Sequence, residues 1–435
     1  MMVDLDTLFS LCKRRGFVYP SSEIYGGFGG FWDYGPLGVE MKRNIRDAWW
    51  RETVQLRDDV VGLDAAIIMN PKTWEASGHV KEFVDRLVEC NACKQRFRED
   101  ELESLVCPAC GGALSQARLF NTMFKTFVGP VEEDAAVAYL RPETAQGIFV
   151  DFKNVLTTSR KKIPFGIAQI GKAFRNEITP GRFIFRSREF EAMELEFFVR
   201  PGTDEEWWRY WVDQRVKWHI KYGASSENIR VYEVPAADRA HYSKATGDIQ
   251  FHYPFGWGEL EGVADRTDYD LARHGEASGE DLSYFDEETG QRFIPYVIEP
   301  AVGVERTFLA YLINAYHEEP DKEGTRVVLK LHPWIAPYKV AVLPLSRKEP
   351  LVQKAREVSG MLRPHFMSTY DDSQSIGRRY RRQDEIGTPY CVTVDFQTLE
   401  DQQVTIRDRD SMTQERVPID RLVGIVQQRL AASLE

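Results

Sequence analysis

One stretch constrains the fold more than any other: Gly171-Lys172-Ala173-Phe174-Arg175-Asn176-Glu177, continuing to Arg188-Glu189-Phe190. It reads as two antiparallel strands around a Thr179-Pro180-Gly181 turn. Pro is preset for the second turn position, and Gly is free to take a positive φ. Side chains alternate along a strand, so Arg175 and Glu177 share one face of the first strand. Arg186, Arg188, Phe190 and Glu194 likewise share a face of the second. Cations, an aromatic plate and carboxylates on one sheet surface are what a nucleoside triphosphate and a small ammonium-bearing substrate require. An ordinary charged hairpin would carry the same residues. A second segment, Glu299-Pro300-Ala301-Val302-Gly303-Val304-Glu305-Arg306, tips the reading toward a site. It reads as a strand end, a break at Gly303 and a helix start, with Thr307–Tyr316 continuing the helical pattern.

The 435 residues suggest two or three domains, and 43% hydrophobic content supplies a proper core. No apolar run approaches the roughly 20 residues of a membrane span. The acidic start, Met1-Met2-Val3-Asp4-Leu5-Asp6, lacks the order of a secretion signal, so a cytoplasmic location is expected. The formal charge of −11 repels nucleic acid overall, and any such partner must be held by local basic surface. Four of the six cysteines form Cys90-x2-Cys93-x13-Cys107-x2-Cys110. Each Cys-x2-Cys knuckle presents two thiolates to one tetrahedral metal, which favours a structural zinc over disulfides or unligated thiols. A set of four thiolates leaves no open coordination position, which argues against catalytic zinc. Cys12 and Cys391 are isolated and are expected to be buried thiols.

Residues 37–56 place Met41, Ile45, Ala48, Trp49 and Val54 close to helical spacing, after Pro36 at the helix start. Ala136–Leu140 is expected to be a strand, and 203–222 a helix whose aromatic stripe belongs to the core. His332–Pro337 is a Pro-punctuated linker. Beyond it come a strand at Lys339–Leu343, a helix at Glu349–Leu362, a strand at Met367–Tyr370, a basic helix at 374–385, a strand at Tyr390–Val394, and a closing helix within Thr413–Ser433. That alternation implies a compact α/β domain.

The two segments of the opening paragraph resemble motifs 2 and 3 of the class II aminoacyl-tRNA synthetases. Phe31-Trp32-Asp33-Tyr34-Gly35-Pro36-Leu37-Gly38 looks like motif 1. Trp74-Glu75-Ala76-Ser77-Gly78-His79, Leu140-Arg141-Pro142-Glu143-Thr144-Ala145-Gln146-Gly147 and Trp257-Gly258-Glu259-Leu260-Glu261-Gly262 resemble signatures of the dimeric, class IIa glycyl-tRNA synthetase family. The matches run along nearly the whole chain, in the family's order. The fold this implies is an α+β class II catalytic domain on an antiparallel sheet, over residues 1–335. A zinc-knuckle insertion would occupy 88–116, and an α/β anticodon-binding domain 336–435. The implied partners are ATP with magnesium, glycine, tRNA(Gly) and a second copy of the chain, paired through helix 37–56 and the strand after it. No membrane partner and no editing domain are expected.

The resemblance also implies roles, residue by residue. Arg175 would bridge the α-phosphate of ATP and the glycine carboxylate, and Glu177 would accept from the adenine amino group. Phe190 would stack on adenine, with the guanidinium of Arg306 on the other face and reaching the γ-phosphate. Asn176, Phe185, Arg186, Ser187, Arg188, Glu189, Leu260, Gly303, Val304 and Glu305 complete the expected ATP site, with Arg186 or Arg188 on the outer phosphates. Glu259 and Glu299 are candidates for holding magnesium. Around glycine the resemblance implies Glu143 and Glu194 at the ammonium, and Arg98 closing over the substrate. Phe190, Glu191, Ala192, Met193, Glu299, Pro300, Ala301, Val302 and Gly303 would form the rest of that pocket. Alanine would be rejected sterically by a filled wall. The family usually has Glu-Pro-Ser in motif 3, whereas this chain has Glu299-Pro300-Ala301, so one hydroxyl contact is missing. For tRNA, Arg378, Arg379, Tyr380, Arg381 and Arg382 could pair phosphates and stack on an unpaired base, and a solvated helix face is the competing reading. The rival functions are another class IIa synthetase, for threonine, proline or histidine, and a non-catalytic synthetase-like accessory protein. Of the first, the threonine enzyme would be expected to use catalytic zinc with an open ligand position, whereas this chain offers a closed four-cysteine set. The second would be expected to lose the arginine of motif 2 or 3.

Overall fold

The computed structural model describes residues 2–102, 104–130, 136–321 and 324–434. Its centre is a seven-stranded sheet. In chain order the strands are β1 (Val60–Gly62), β2 (Phe165–Phe174), β3 (Glu189–Val199), β4 (Ile229–Glu233), β5 (Ala245–Tyr253), β6 (Gly256–Thr267) and β7 (Tyr296–Gly303). They lie in the order β4-β5-β6-β7-β3-β2-β1. Every pairing is antiparallel except β1 on β2.

Strand β3 shows how the sequence builds two different faces. Met193, Leu195, Phe197 and Val199 all enter the main core, while Glu194, Glu196 and Phe198 alternate to the other side. Against the first face pack α1 (Leu5–Arg15), α2 (Pro36–Trp50), α4 (Asp204–Tyr222) and α6 (Val304–Ala315). Trp208, Trp211 and Trp218 of α4 are buried there, so the aromatic stripe is core as expected. Helix α2 buries Met41, Ile45, Ala48 and Trp49. It gives way at Trp50 to a π-helical turn over Arg51–Gln55, earlier than the expected end at 56. Against the second face pack α3 (Ala145–Ser159) and α5 (Tyr269–Ser278), through Ile148, Phe149, Phe152 and Leu271. The polar residues of that face are therefore roofed by helices, and the cleft opens beside them.

The cysteine segment forms a three-stranded sheet of Val84–Glu89, Arg96–Arg98 and Arg118–Asn121. Past the linker, a five-stranded sheet contains β8 (Val340–Pro344), β9 (Ser368–Tyr370), β10 (Tyr390–Val394), β11 (Gln403–Asp408) and β12 (Gln414–Pro418), in the order β9-β8-β10-β11-β12. Helices α7 (Glu349–Leu362), α8 (Ile376–Ile386) and α9 (Leu422–Ala432) accompany it. Its core gathers Val340, Val342, Leu351, Val392, Val394, Val404, Ile406 and Val426. Strands β11 and β12 were not anticipated, because QVTIRD and QERVP carry few apolar residues. They earn their place by pairing with β10 and each other. Cys12 and Cys391 are buried. Among the described residues, no helix is long and apolar enough to cross a membrane.

Candidate active site

The expected hairpin is two strands joined by a longer excursion. β2 ends at Phe174 and β3 begins at Glu189, so 175–188 is loop with one 3-10 turn at Phe183–Phe185. The positive-φ residues are Arg182 (55°) and Phe183 (58°), while Gly181 has none. Strand alternation therefore does not place Arg175, Glu177, Arg186 or Arg188. Specific loop bonds do. Arg175 N donates to Arg188 O at 2.9 Å, Asn176 N to Thr122 O at 2.7 Å, and Arg188 N to Gly30 O at 2.7 Å. The Arg188 guanidinium is itself spent on this frame, donating to Glu177 O at 3.0 and 2.8 Å and to Gly29 O at 2.7 Å. Arg188 thus ties the loop down, and Arg186 borders the cleft with Arg175 and Glu177.

The cleft holds about 730 Å³ of empty space, open solvent at its mouth included. On its far wall Arg306, from the first turn of α6, meets Glu259 Oε2 at 3.0 Å and donates to Glu259 O at 3.2 Å. Its guanidinium lies 4.6 Å from the centre of the Phe185 ring. Arg175 donates to Pro142 O at 3.1 Å and lies 5.4 Å from the Phe190 ring centre. Two arginines therefore face one space, each backed by an aromatic plate. Arg306, ahead of the opposing effect of burial, holds the Glu259 carboxyl below its ordinary range. Asp248, on β5 beside this end, is pushed up to about 7 by burial and then by Glu259.

The floor follows from sheet register. Asp248, Gly262, Ala301, Glu194 and Gln169 are direct partners across β5, β6, β7, β3 and β2, and so share one face. Two small residues, Gly262 and Ala301, sit between the carboxylates and leave room above them. Glu194 Oε2 accepts from Thr144 N at 2.6 Å and from the Thr144 hydroxyl. Glu143 meets His79 Nε2 at 3.4 Å and accepts from Gln146 at 3.0 Å. Burial opposes its ionisation, but His79 and then Arg266 hold Glu143 well below the usual carboxylate range. Burial and the nearby Glu143 push Glu194 upward. Glu299 gives both oxygens to Arg266 Nη1 at 2.9 Å, and Arg266 is clamped from behind by Asp270 at 2.7 and 2.9 Å. Burial first, and then Glu143 and Glu194 against Arg266, push Glu299 up to about 8. The result is a buried acidic end, suited to an ammonium, and a cationic end suited to phosphates.

Comparison with known proteins fits this arrangement. Residues 130–315 match the model of the tRNA synthetase class II core domain (G, H, P, S and T), and 339–429 that of the anticodon binding domain. A glycine–tRNA ligase of Thermobifida fusca is 57% identical, with 98% of each chain covered. One of Streptomyces coelicolor is 55% identical, again with 98% of each covered. One of Treponema denticola is 53% identical over 97% of this chain and 96% of its own. The chain belongs to the glycine–tRNA ligase family. A prolyl-tRNA synthetase of Cryptosporidium parvum, 14% identical, superposes with a TM-score of 0.67 over 98% of this chain and 75% of its own, which speaks to the fold alone.

Several residues expected from the glycine–tRNA ligase resemblance stand outside the cleft. Glu191 and Met193 point to the opposite face of β3. Met193 is core, and Glu191 pairs with Lys42 and Arg46 at 3.2 Å each. Glu189 pairs with Lys172 at 2.7 Å, and Arg98 with Asp100 at 2.7 Å and Asp85 at 3.4 Å. Val304 and Pro300 are buried. Glu299, a magnesium candidate, has both oxygens committed to Arg266. Phe185, Ser187, Phe190, Ala192, Glu194, Glu259, Leu260, Ala301, Val302, Gly303, Glu305 and Arg306 do border the cleft. Glu305 also reaches back to Lys42 at 2.7 Å and to Glu191 N at 2.9 Å. Asn176 enters the frame through its backbone. Arg266, His79, Thr144, Gln146 and Asp248 were missed as site residues. The signatures around 74–79 and 140–147 did contain three of them.

The four knuckle cysteines converge, all sulfurs lying within 4.8 Å of one another. Cys90–Cys110 and Cys93–Cys107 are 3.5 and 3.6 Å apart. Tetrahedral zinc with bonds of about 2.3 Å separates its sulfurs by about 3.8 Å, so the donor set fits that ion. The Cys90 thiol is drawn down to about 6, foremost by the Cys93 backbone N–H.

The basic helix α8 departs further from expectation. Arg379 is buried, donating to the carbonyls of Ser373, Asp372, Gln374 and Pro344. Tyr380 turns inward to Thr393 Oγ1 at 2.5 Å, and Arg382 binds Asp371 at 2.5 Å. Arg381 reaches Asp384 at 3.4 Å. Arg378 stays exposed. A cleft lined by Arg378, Arg381, Arg382 and, from α1, Arg15 is the cationic surface that remains.

Proposed function

We propose that the chain charges tRNA(Gly): it activates glycine with ATP, then transfers the glycyl group to the tRNA. The observation that carries this reading is one cleft lined by Arg175, Arg186 and Arg306 toward one end and by the buried Glu194 beside Ala301 toward the other, with Glu143 behind it. A glycine carboxylate oxygen attacks the α-phosphorus, and the bond to pyrophosphate breaks. The terminal ribose hydroxyl of tRNA then attacks the glycyl carbonyl, and AMP leaves. Alignment and charge neutralisation supply most of the acceleration in such displacements. Arg175 bridges the α-phosphate and the glycine carboxylate, Arg306 and Arg186 take the outer phosphates, and Glu177 accepts from the adenine amino group. Phe190 and Arg306 sandwich adenine.

Glu143 and Glu194 receive the ammonium, and Glu299 acts through its pair with Arg266. Magnesium enters with ATP, with Glu259 the carboxylate beside the phosphates. Cys90, Cys93, Cys107 and Cys110 hold a structural zinc. Residues 336–435 bind the anticodon region, through Arg378, Arg381 and Arg382 more than through Arg379 or Tyr380. The protein works in the cytoplasm as a homodimer. Ile24 (88% exposed), Tyr25 (86%) and Phe28 (65%) form a solvent-facing apolar loop ahead of α2 that suits such a contact. The test is transfer of labelled glycine to tRNA. Charging of tRNA(Gly) is expected, and failure to charge it with purified, ATP-supplied protein would contradict the reading.

A further inference from the structure

Gln146 is fully buried in the first turn of α3, and its amide joins two acidic groups that a glutamine joins in only one orientation. Its nitrogen lies 3.0 Å from Glu143 Oε1 and 2.9 Å from Asp270 Oδ1. Both are carboxylates set beside basic side chains, Glu143 beside His79 and Asp270 beside Arg266, and a carboxylate only accepts. The NH2 of Gln146 must therefore face both, which leaves its oxygen toward His274. The His274 Nε2 atom lies 2.8 Å from that oxygen, so it must be the donor. Burial lowers the His274 pKa, in keeping with a neutral ring protonated at Nε2. His274 is itself buried, on α5, and belongs to none of the motif segments.

We propose that His274, acting through Gln146, is a positioning residue for the amino-acid end of the cleft. One arm of the relay fixes Glu143. The other reaches Asp270, then Arg266, then Glu299. Among the described residues, no other side chain donates to that oxygen, so without His274 the amide is free to turn. A flipped Gln146 sets its oxygen against both carboxylates, and Glu143 loses a donor that keeps it aimed. The proposal rests on the reading of Glu143 as the ammonium acceptor. It assigns no contact between His274 and substrate.

The test is ATP–pyrophosphate exchange by the full-length protein with glycine and ATP varied separately, beside thermal unfolding. His274→Phe removes the donor and is expected to raise the glycine KM about tenfold or more, the effect of losing a hydrogen bond to a charged group. The ATP KM and the kcat at saturating glycine should stay within about twofold of wild type. His274→Gln places an amide nitrogen near the Nε2 position and should recover most of the glycine KM, whereas the shorter His274→Asn should not. If His274→Phe fails to fold, the comparison of the Gln and Asn variants decides the matter. An unchanged glycine KM, an equal loss in both KM values and kcat, or no difference between Gln and Asn would overturn the proposal. Failure of the underlying glycine reading is seen separately, as absent glycine-dependent exchange by the wild type.

Discussion

Arg306 reaches the cleft from the first turn of α6 and is held by the Glu259 carboxylate and carbonyl. Removing it deletes a cation and a flat surface together. Arg306→Ala is expected to lower glycine-dependent exchange by about a hundredfold or more. The melting temperature should move little, because the side chain is partly exposed and anchors no core. Undiminished exchange would contradict its placement on the phosphates. Asp248 offers a test in pH. Its folded pKa is raised from 3.8 to about 7, so the neutral form is favoured in the folded state. The unfolded state then binds fewer protons between those values, and stability tied to this group is complete below about pH 4 and is lost as pH rises through 7. Asp248→Asn should therefore gain on wild type in melting temperature between pH 5 and 8, and a constant difference would contradict this. Glu259 and Arg306 were expected because each itself lies in a short motif, although they pair with each other across the cleft. Arg266 and His274 were not, because their partners arrive from β7 and α3 and only the fold brings them near.

Elements with a clean period were read almost to the residue. Glu349–Leu362 and Tyr390–Val394 keep their expected bounds, since each has an unbroken apolar pattern facing one core. The motif 2 loop was misread because charged residues alternate through it much as they would along a strand. Its path is set instead by bonds to Gly29, Gly30 and Thr122. The cysteine segment was legible from spacing alone. Purified protein is expected to carry one zinc per chain by metal analysis, and Cys107→Ser to lose it while the main sheet melts normally. Metal-free wild type that retains the same fold would contradict the assignment. Helix α8 shows the limit of reading charge from sequence, since Arg379 serves four carbonyls from within. Arg379→Ala should cost about 2–3 kcal/mol of stability through those unpaired carbonyls, measured by denaturant unfolding. Replacing Arg378 should instead weaken tRNA affinity with little change in stability.

At the scale of the molecule, the catalytic body and the C-terminal sheet are joined by buried polar contacts. Arg326 is 1% exposed, donating to Arg409 O at 2.9 Å and lying 3.6 Å from Asp384. Arg15 of α1 pairs with Glu385, and Asn44 donates to Ala336 O at 2.9 Å. Cutting the chain near residue 336 would take Asp384 and the Arg409 carbonyl from Arg326 and leave it Glu319 alone, so surface arginines are the cleaner way to separate tRNA binding from chemistry. The order of domains was legible because nearly every motif lies in one of them. The seam between them was not, because it is built from single residues far apart in the chain. What the whole assembly does is tested most directly by ATP–pyrophosphate exchange with each of the standard amino acids in turn. Robust exchange with glycine, and little with alanine or serine, is the predicted result. Exchange driven by another amino acid, or by none, would contradict it.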